Sequence, residues 1–136
     1  MSDDSLSTKR KAASKIIDTS KVKVNEERFE KSKGHTIVEL VSYIPNSIFR
    51  KTIMKNAIGH IIVSAFDTDQ ALAESKSPCA TFIQIIEGKA EIKFSKRSII
   101  LLCGQSITIP ANTSHIVKAD GRFKMLQAFI KSEYEM

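Results

Sequence analysis

Cysteine is scarce in this chain, two residues in 136, which excludes a disulfide framework. No apolar run approaches the ~20 residues needed to span a bilayer, so no membrane partner is expected. The opening residues, MSDDSLSTKRKAASK, lack the apolar core of a secretory signal, and the chain is expected in the cytoplasm. Charge of one sign is not concentrated either. The net charge of +6 comes from 21 Lys/Arg against 15 Asp/Glu. It divides evenly, nine basic against six acidic residues in 1–33 and twelve against nine in 34–136. A tail so mixed in sign reads as a solvated arm. Its one basic knot, Lys9-Arg10-Lys11, has no aromatic neighbours on which a base could stack, so nucleic acid is not an expected partner.

What is present is a succession of short strand-like runs. The length predicts one domain, with a polar, basic arm over 1–33 and a folded body over 34–136. A body of that size buries more than about 60% of its unfolded surface and needs no staples. Val22 to Val24 is a candidate short strand, and Glu26 to Lys33 reads as a polar connector. Ile37 to Val41 is a further candidate strand, ended by the turn signal Pro45-Asn46. Phe49 to Ile53 and His60 to Phe66 follow, and Asp67-Thr68-Asp69 breaks the pattern. From Thr81 the period is two: Thr81, Ile83 and Ile85 share one face, Phe82, Gln84 and Ile86 the other. Glu87-Gly88 turns the chain, after which Ala90, Ile92 and Phe94 alternate with Glu91 and Lys93. Lys96-Arg97 makes the next turn. Ile107 and Ile109 alternate with Ser106 and Thr108 up to Pro110. His115, Val117 and Ala119 then share a face. Many short strands with Gly/Pro punctuation and no amphipathic helix predict an all-β barrel or sandwich. Cys103, closing the apolar run Ser98–Leu102, reads as a small buried hydrophobe. Cys79 reads as a loop residue without a flanking base or second ligand to activate it.

Two segments narrow the fold. Gly104 to Ala119 (GQSITIPANTSHIVKA) has a Gly, five residues, a Pro, four residues and a His. Ser75 to Gly88 (SKSPCATFIQIIEG) precedes it, with fifteen residues between Gly88 and Gly104. Together these segments resemble the two signature motifs of the cupins over roughly residues 34–136. The closing RFKMLQAFIK resembles the last strand of small single-domain bacterial cupins. Asn112 stands where the second motif usually has Gly, and Ala119 where it usually has Asn. The resemblance implies a double-stranded β-helix, the jelly-roll cupin barrel. It also implies that the motif positions look into the barrel. Here they are Ser75, Ser77, Thr81 and His115, where the family offers three histidines and a glutamate. Ile83, Ile85 and Val117 follow them by strand parity.

Hydroxyls are poor ligands for transition metals, which need several imidazole, carboxylate or thiolate donors in fixed geometry. No metal or other cofactor is therefore expected at the motif positions. A rearranged site drawing on His60, Glu74 or Cys79 with His115 is the alternative, and it needs three or four convergent groups. His35, in a polar segment, reads as a surface residue. His115 reads either as a general base or ligand donor, or as a histidine merely hydrogen-bonded to Ser75, Ser77 or a buried water. The expected function is binding of a small organic ligand by Ser75, Ser77, Thr81, Ile83, Ile85, His115 and Val117, without metal-dependent catalysis. Two alternatives stay open: an enzyme (a metal-independent isomerase or lyase with His115 as base, or a metalloenzyme with non-motif ligands), and an interaction module tethered by the basic arm. Phe82 and Ile86 would expose an apolar outer face, which predicts either a symmetric homodimer or cover by residues 20–45 of the same chain.

Overall fold

Runs that alternate between apolar and polar residues build two facing sheets. The computed structural model describes residues 22–25 and 32–131, with the backbone alone for 24, 25, 74 and 75. Most of the arm, residues 1–21 and 26–31, lies outside the described residues. The described strands are β1 (Val22–Asn25), β2 (Ile48–Asn56), β3 (Gly59–Phe66), β4 (Ala71–Ser75), β5 (Cys79–Glu87), β6 (Lys89–Lys93), β7 (Ser98–Leu102), β8 (Ser106–Ile109), β9 (His115–Ala119) and β10 (Phe123–Lys131). One sheet runs β1-β2-β3-β10-β5-β8 and the other β4-β9-β6-β7. From β3 onward the chain passes repeatedly between the sheets, which is the jelly-roll arrangement expected for the folded body. No helix of the described residues is long and apolar enough to cross a membrane. β1 pairs in parallel with β2 of the same chain, Val22 opposite Ile48, so part of the arm belongs to the larger sheet.

The inner face closes at one end on apolar side chains. Ile48, Phe66, Ile83, Ile85, Ala90, Ile92, Val117, Ala119, Phe123 and Met125 form one buried cluster, with the Phe66 and Phe123 rings stacked at 4.4 Å. Ala119, the residue in place of the motif's usual Asn, is 5% exposed within that cluster. Gly88 carries the β5–β6 hairpin at φ +74. Asn112 takes φ +63, so an asparagine meets the left-handed geometry for which the motif usually uses glycine. Its N–H donates to the Ser77 carbonyl at 2.7 Å, tying the two motif segments together.

Ile37 to Val41 is not a strand. Ile37–Glu39 forms a short 3-10 turn, and the segment crosses the outer face of the larger sheet instead of extending it. The physical reason is that β1 already occupies the edge beside β2, and only Val41 of this run is buried, at 1% exposure. Val41 and Tyr43 pack with Val63, Ala65, Ile86 and Leu126 in a second cluster. The Tyr43 hydroxyl donates to the Glu87 carboxylate, and Lys124 donates to the Val38 carbonyl at 2.7 Å. Asp67 accepts from the Asn46 N–H at 2.6 Å and from Arg122 Nε at 2.8 Å. Ile86 is thus covered from within the chain, while Phe82 stays 37% exposed.

Both cysteine expectations need correction. Cys103 is exposed, because the chain leaves β7 for the turn at Gly104 just where the alternation would have carried the side chain inward. Cys79 is half-buried and opens β5, since the strand begins earlier than the loop-like Ser-Pro-Cys suggests.

Candidate functional site

Strand register gathers the polar motif positions at the end of the barrel away from the Phe66–Phe123 stack. Thr81 pairs with Ile109 on one side and Phe129 on the other, and Phe129 pairs with His60. On the facing sheet Ser75 pairs with His115. Thr81 and His115 are both buried, at 2% and 6% exposure. Ser77 is half-buried, and its hydroxyl accepts from the Cys79 N–H at 3.0 Å. The Ser75 side chain, like that of Glu74, lies outside the described residues. Ile83, Ile85 and Val117 are packed in the apolar cluster beneath this end.

His115 is oriented by its own loop. Nδ1 lies 3.2 Å from the Thr113 carbonyl, which only accepts, so Nδ1 donates there and Nε2 is the ring nitrogen left for another partner. The Phe94 ring lies 6.4 Å from the imidazole, between centroids. Phe94 and Thr113 also line a cavity of about 380 Å³ between the β6–β7 hairpin and β8. Ile107, Thr108, Ile109 and Pro110 line it from β8 and its end, and Ser95, Lys96 and Arg97 line it from the hairpin turn. Arg97 is held over the Phe94 ring at 4.7 Å, a cation–π contact that fixes one side of the opening.

The donor set does not fit a transition metal. The four motif positions offer one imidazole and three hydroxyls, and neutral hydroxyl oxygens neither match the softness nor supply the charge such ions select. Among the described residues no group of three or more His, Cys, Asp or Glu comes together elsewhere. Of the alternative ligands, His60 lies in β3 with its ring stacked on Phe129 at 4.5 Å. His35 is exposed.

Reading the sequence missed a second polar group on the inner face. Arg50 of β2 donates through Nε to Ser64 Oγ at 3.2 Å and through Nη2 to Gln127 Oε1 at 2.8 Å. Ser64 and Gln127 are 0% and 3% exposed. Burial holds the Arg50 guanidinium below its ordinary value. His60 is likewise held below the usual imidazole range, first by burial and then by the charges of Lys55 and Arg50. Lys55 comes to that side because a bulge after Thr52 shifts the register, placing Lys55 opposite His60. A sequence signal did exist: Ile48, Arg50 and Thr52 share a strand face. It was masked because Phe49 and Ile53 on the other face are also apolar, packed under the 37–45 segment.

No protein-family model matches the chain, and no curated protein matches it by sequence. Solved structures do. A conserved protein of unknown function from Streptococcus pyogenes is 24% identical, with a TM-score of 0.71 over 79% of this chain and 97% of its own. A cupin superfamily protein from Desulfitobacterium hafniense is 22% identical, with a TM-score of 0.73 over 78% and 97%. A cupin 2 conserved barrel domain protein from Leptotrichia buccalis is 25% identical, with a TM-score of 0.67 over 69% of this chain and 46% of its own. Motif spacing, strand order and these neighbours agree, and the chain has the jelly-roll barrel fold of the cupin superfamily.

Proposed function

We propose that this protein binds a small organic molecule at the open end of its barrel and does so without metal-dependent catalysis. The observation that carries this reading is the cavity of about 380 Å³ that shares Phe94 and Thr113 with the surroundings of His115. Its size falls within the ~300–1,000 Å³ of small-molecule sites, and its mix of apolar walls with a few polar groups is the usual form of such a site. His115, with Nδ1 committed to Thr113, offers Nε2 as the ring nitrogen left for another partner. Thr81 is buried on the facing sheet and Ser77 lies in the turn before β5, and a ligand held between these hydroxyls and His115 is oriented by hydrogen bonds. The donor chemistry supports a metal-free role.

The test is amide chemical-shift mapping with a panel of neutral aromatics and small organic acids. Compounds that bind should move Phe94, Arg97 and Thr113 together, and Thr113→Trp, which fills the cavity, should abolish the shifts while leaving the circular dichroism spectrum unchanged. A panel that leaves these amides unmoved, or equal binding to Thr113→Trp, would sink the reading.

A further inference from the structure

The inner face of β2, β3 and β10 carries a charge, Arg50, that no carboxylate among the described residues meets. Arg50 sits two residues along β2 from Ile48, which is 1% exposed in the apolar cluster, so it projects to the same face. Its two bonded acceptors, Ser64 Oγ and Gln127 Oε1, are neutral oxygens. A guanidinium has five N–H donors in a planar fork, and these bonds occupy two of them. Among the described residues no carboxylate accepts from Arg50. A half-buried cation without a counter-ion among the described residues is costly, and neutral acceptors compensate only in part. Neighbouring groups add to the positive field: Lys55 and Arg50 both act on His60, whose ring is stacked on Phe129. A purely structural side chain at this place would be better served by methionine or glutamine, which fill the same volume without desolvating a charge.

Around this charge the inner face is apolar. Ser64 pairs with Met125, and Gln127 pairs with Ile62 and Ile83. A planar donor fork, pinned at two points within an apolar wall, is suited to a carboxylate or phosphate joined to an apolar body. We propose that Arg50, held by Ser64 and Gln127 on the strand face that also carries His60, receives the oxyanion of a small organic acid inside the barrel. The inference goes beyond the small-molecule reading above, because Arg50 is not among the residues lining the Phe94–Thr113 cavity, and it names the chemical class of a ligand held from β2, β3 and β10.

The experiment uses benzoate, inorganic phosphate and the neutral analogue benzyl alcohol, at constant ionic strength set by chloride. Two signals are followed by NMR on the full chain: Arg50 Nε–Hε and the titration of His60. Benzoate or phosphate should shift the Arg50 resonance saturably and raise the His60 pKa, because a bound anion offsets the charges now lowering it. Benzoate binding with phosphate silent identifies a carboxylate; phosphate binding identifies a free phosphate or phosphoryl group. Arg50→Gln should weaken binding at least tenfold, and Arg50→Lys should keep part of it. The His60 shift is read on the unaltered chain and so does not depend on how the variants fold. Benzyl alcohol binding as tightly as benzoate would overturn the anion proposal while leaving the small-molecule reading standing. Arg50 and His60 signals unmoved by benzoate and phosphate would overturn the anion proposal, whatever the cavity amides report. Anion binding that survives Arg50→Gln would refute the role given to Arg50.

Discussion

Gly88 and Gly104 offer a matched pair that tests the hairpin geometry at quantitative resolution. Both have positive φ, +74 and +89, so alanine at either position must adopt the left-handed conformation. That conformation costs an L-residue ~1–2 kcal/mol. The two sites differ in what a Cβ would meet. At Gly104 nothing lies within 4 Å. At Gly88 the new carbon would stand 2.3 Å from the Arg122 carbonyl oxygen and 3.1 Å from Phe123 Cα and Cβ. Neither neighbour can yield cheaply, because Phe123 is 0% exposed and stacked on Phe66 in the core. Overpacking of this kind adds roughly 1–3 kcal/mol.

Gly104→Ala should therefore lower the unfolding free energy by ~1–2 kcal/mol, the cost of the conformation alone. Gly88→Ala should lower it by about 2–5 kcal/mol, the sum of conformation and collision. Urea titration monitored by circular dichroism measures the difference directly, and equal m-values would confirm that both variants unfold from the same compact state. The comparison cancels the backbone cost common to both and isolates the contact with β10. Free energies for the two alanine variants within ~0.5 kcal/mol of each other would refute the reasoning, because surface-like substitutions fall in that range.

Protein purified without chelator or polyhistidine tag should carry far less than one equivalent of iron, manganese, nickel or zinc by elemental analysis; a stoichiometric metal would contradict the reading of the motif positions. Asp67 is held below the usual carboxylate range, first by the Asn46 N–H and then by Arg122. Its folded pKa lies below its unfolded one, so its contribution is present above about pH 4 and fades as the pH falls further. Asp67→Asn should accordingly lose melting temperature at pH 7 and converge on the parent chain in acid, and a gap independent of pH would show that the carboxylate charge is not what holds the 46–47 turn. Phe82 and Ile130, 37% and 47% exposed on one face of the larger sheet, are expected to be covered by a second copy. Light scattering should give a dimer mass that Phe82→Lys reduces to a monomer; a monomeric parent protein would remove the interface.

Much of the fold was legible because the period of two is strong where a strand has one wet face. Thr81, Ile83 and Ile85 alternate with Phe82, Gln84 and Ile86, and the first three are at most 2% exposed. His115, Val117 and Ala119 are buried in the same way on β9. Legibility failed where both faces of a strand are covered. On β2 the outward Phe49 and the inward Ile48 are both apolar, so the pattern does not distinguish their faces, and Arg50 looks like a surface charge. Ile37 to Val41 misled for a related reason. Its apolar composition suits burial, but burial came through a turn laid over the sheet and not through pairing within it, and composition alone does not separate the two.

The candidate site was legible to a different degree because it depends on pairings between distant residues. Motif spacing placed Thr81 and His115, and the fold buries both. Nothing local in the sequence links Arg50 to Gln127, which are 77 positions apart, or Phe94 to His115 across a hairpin and a loop. Such contacts arise only when the sheets close. Once closed, the barrel keeps Arg50, Ser64, Thr81, His115 and Gln127 on surfaces that could have been filled with aliphatic side chains. Buried polar groups recover at best part of their lost hydration through internal hydrogen bonds, and an apolar replacement of similar shape is often neutral or stabilising. Neighbouring positions of the same inner face follow the cheaper solution, with Phe66, Phe123, Ile85 and Met125. Folding alone does not ask for this asymmetry, whereas holding a ligand with a polar head and an apolar body does.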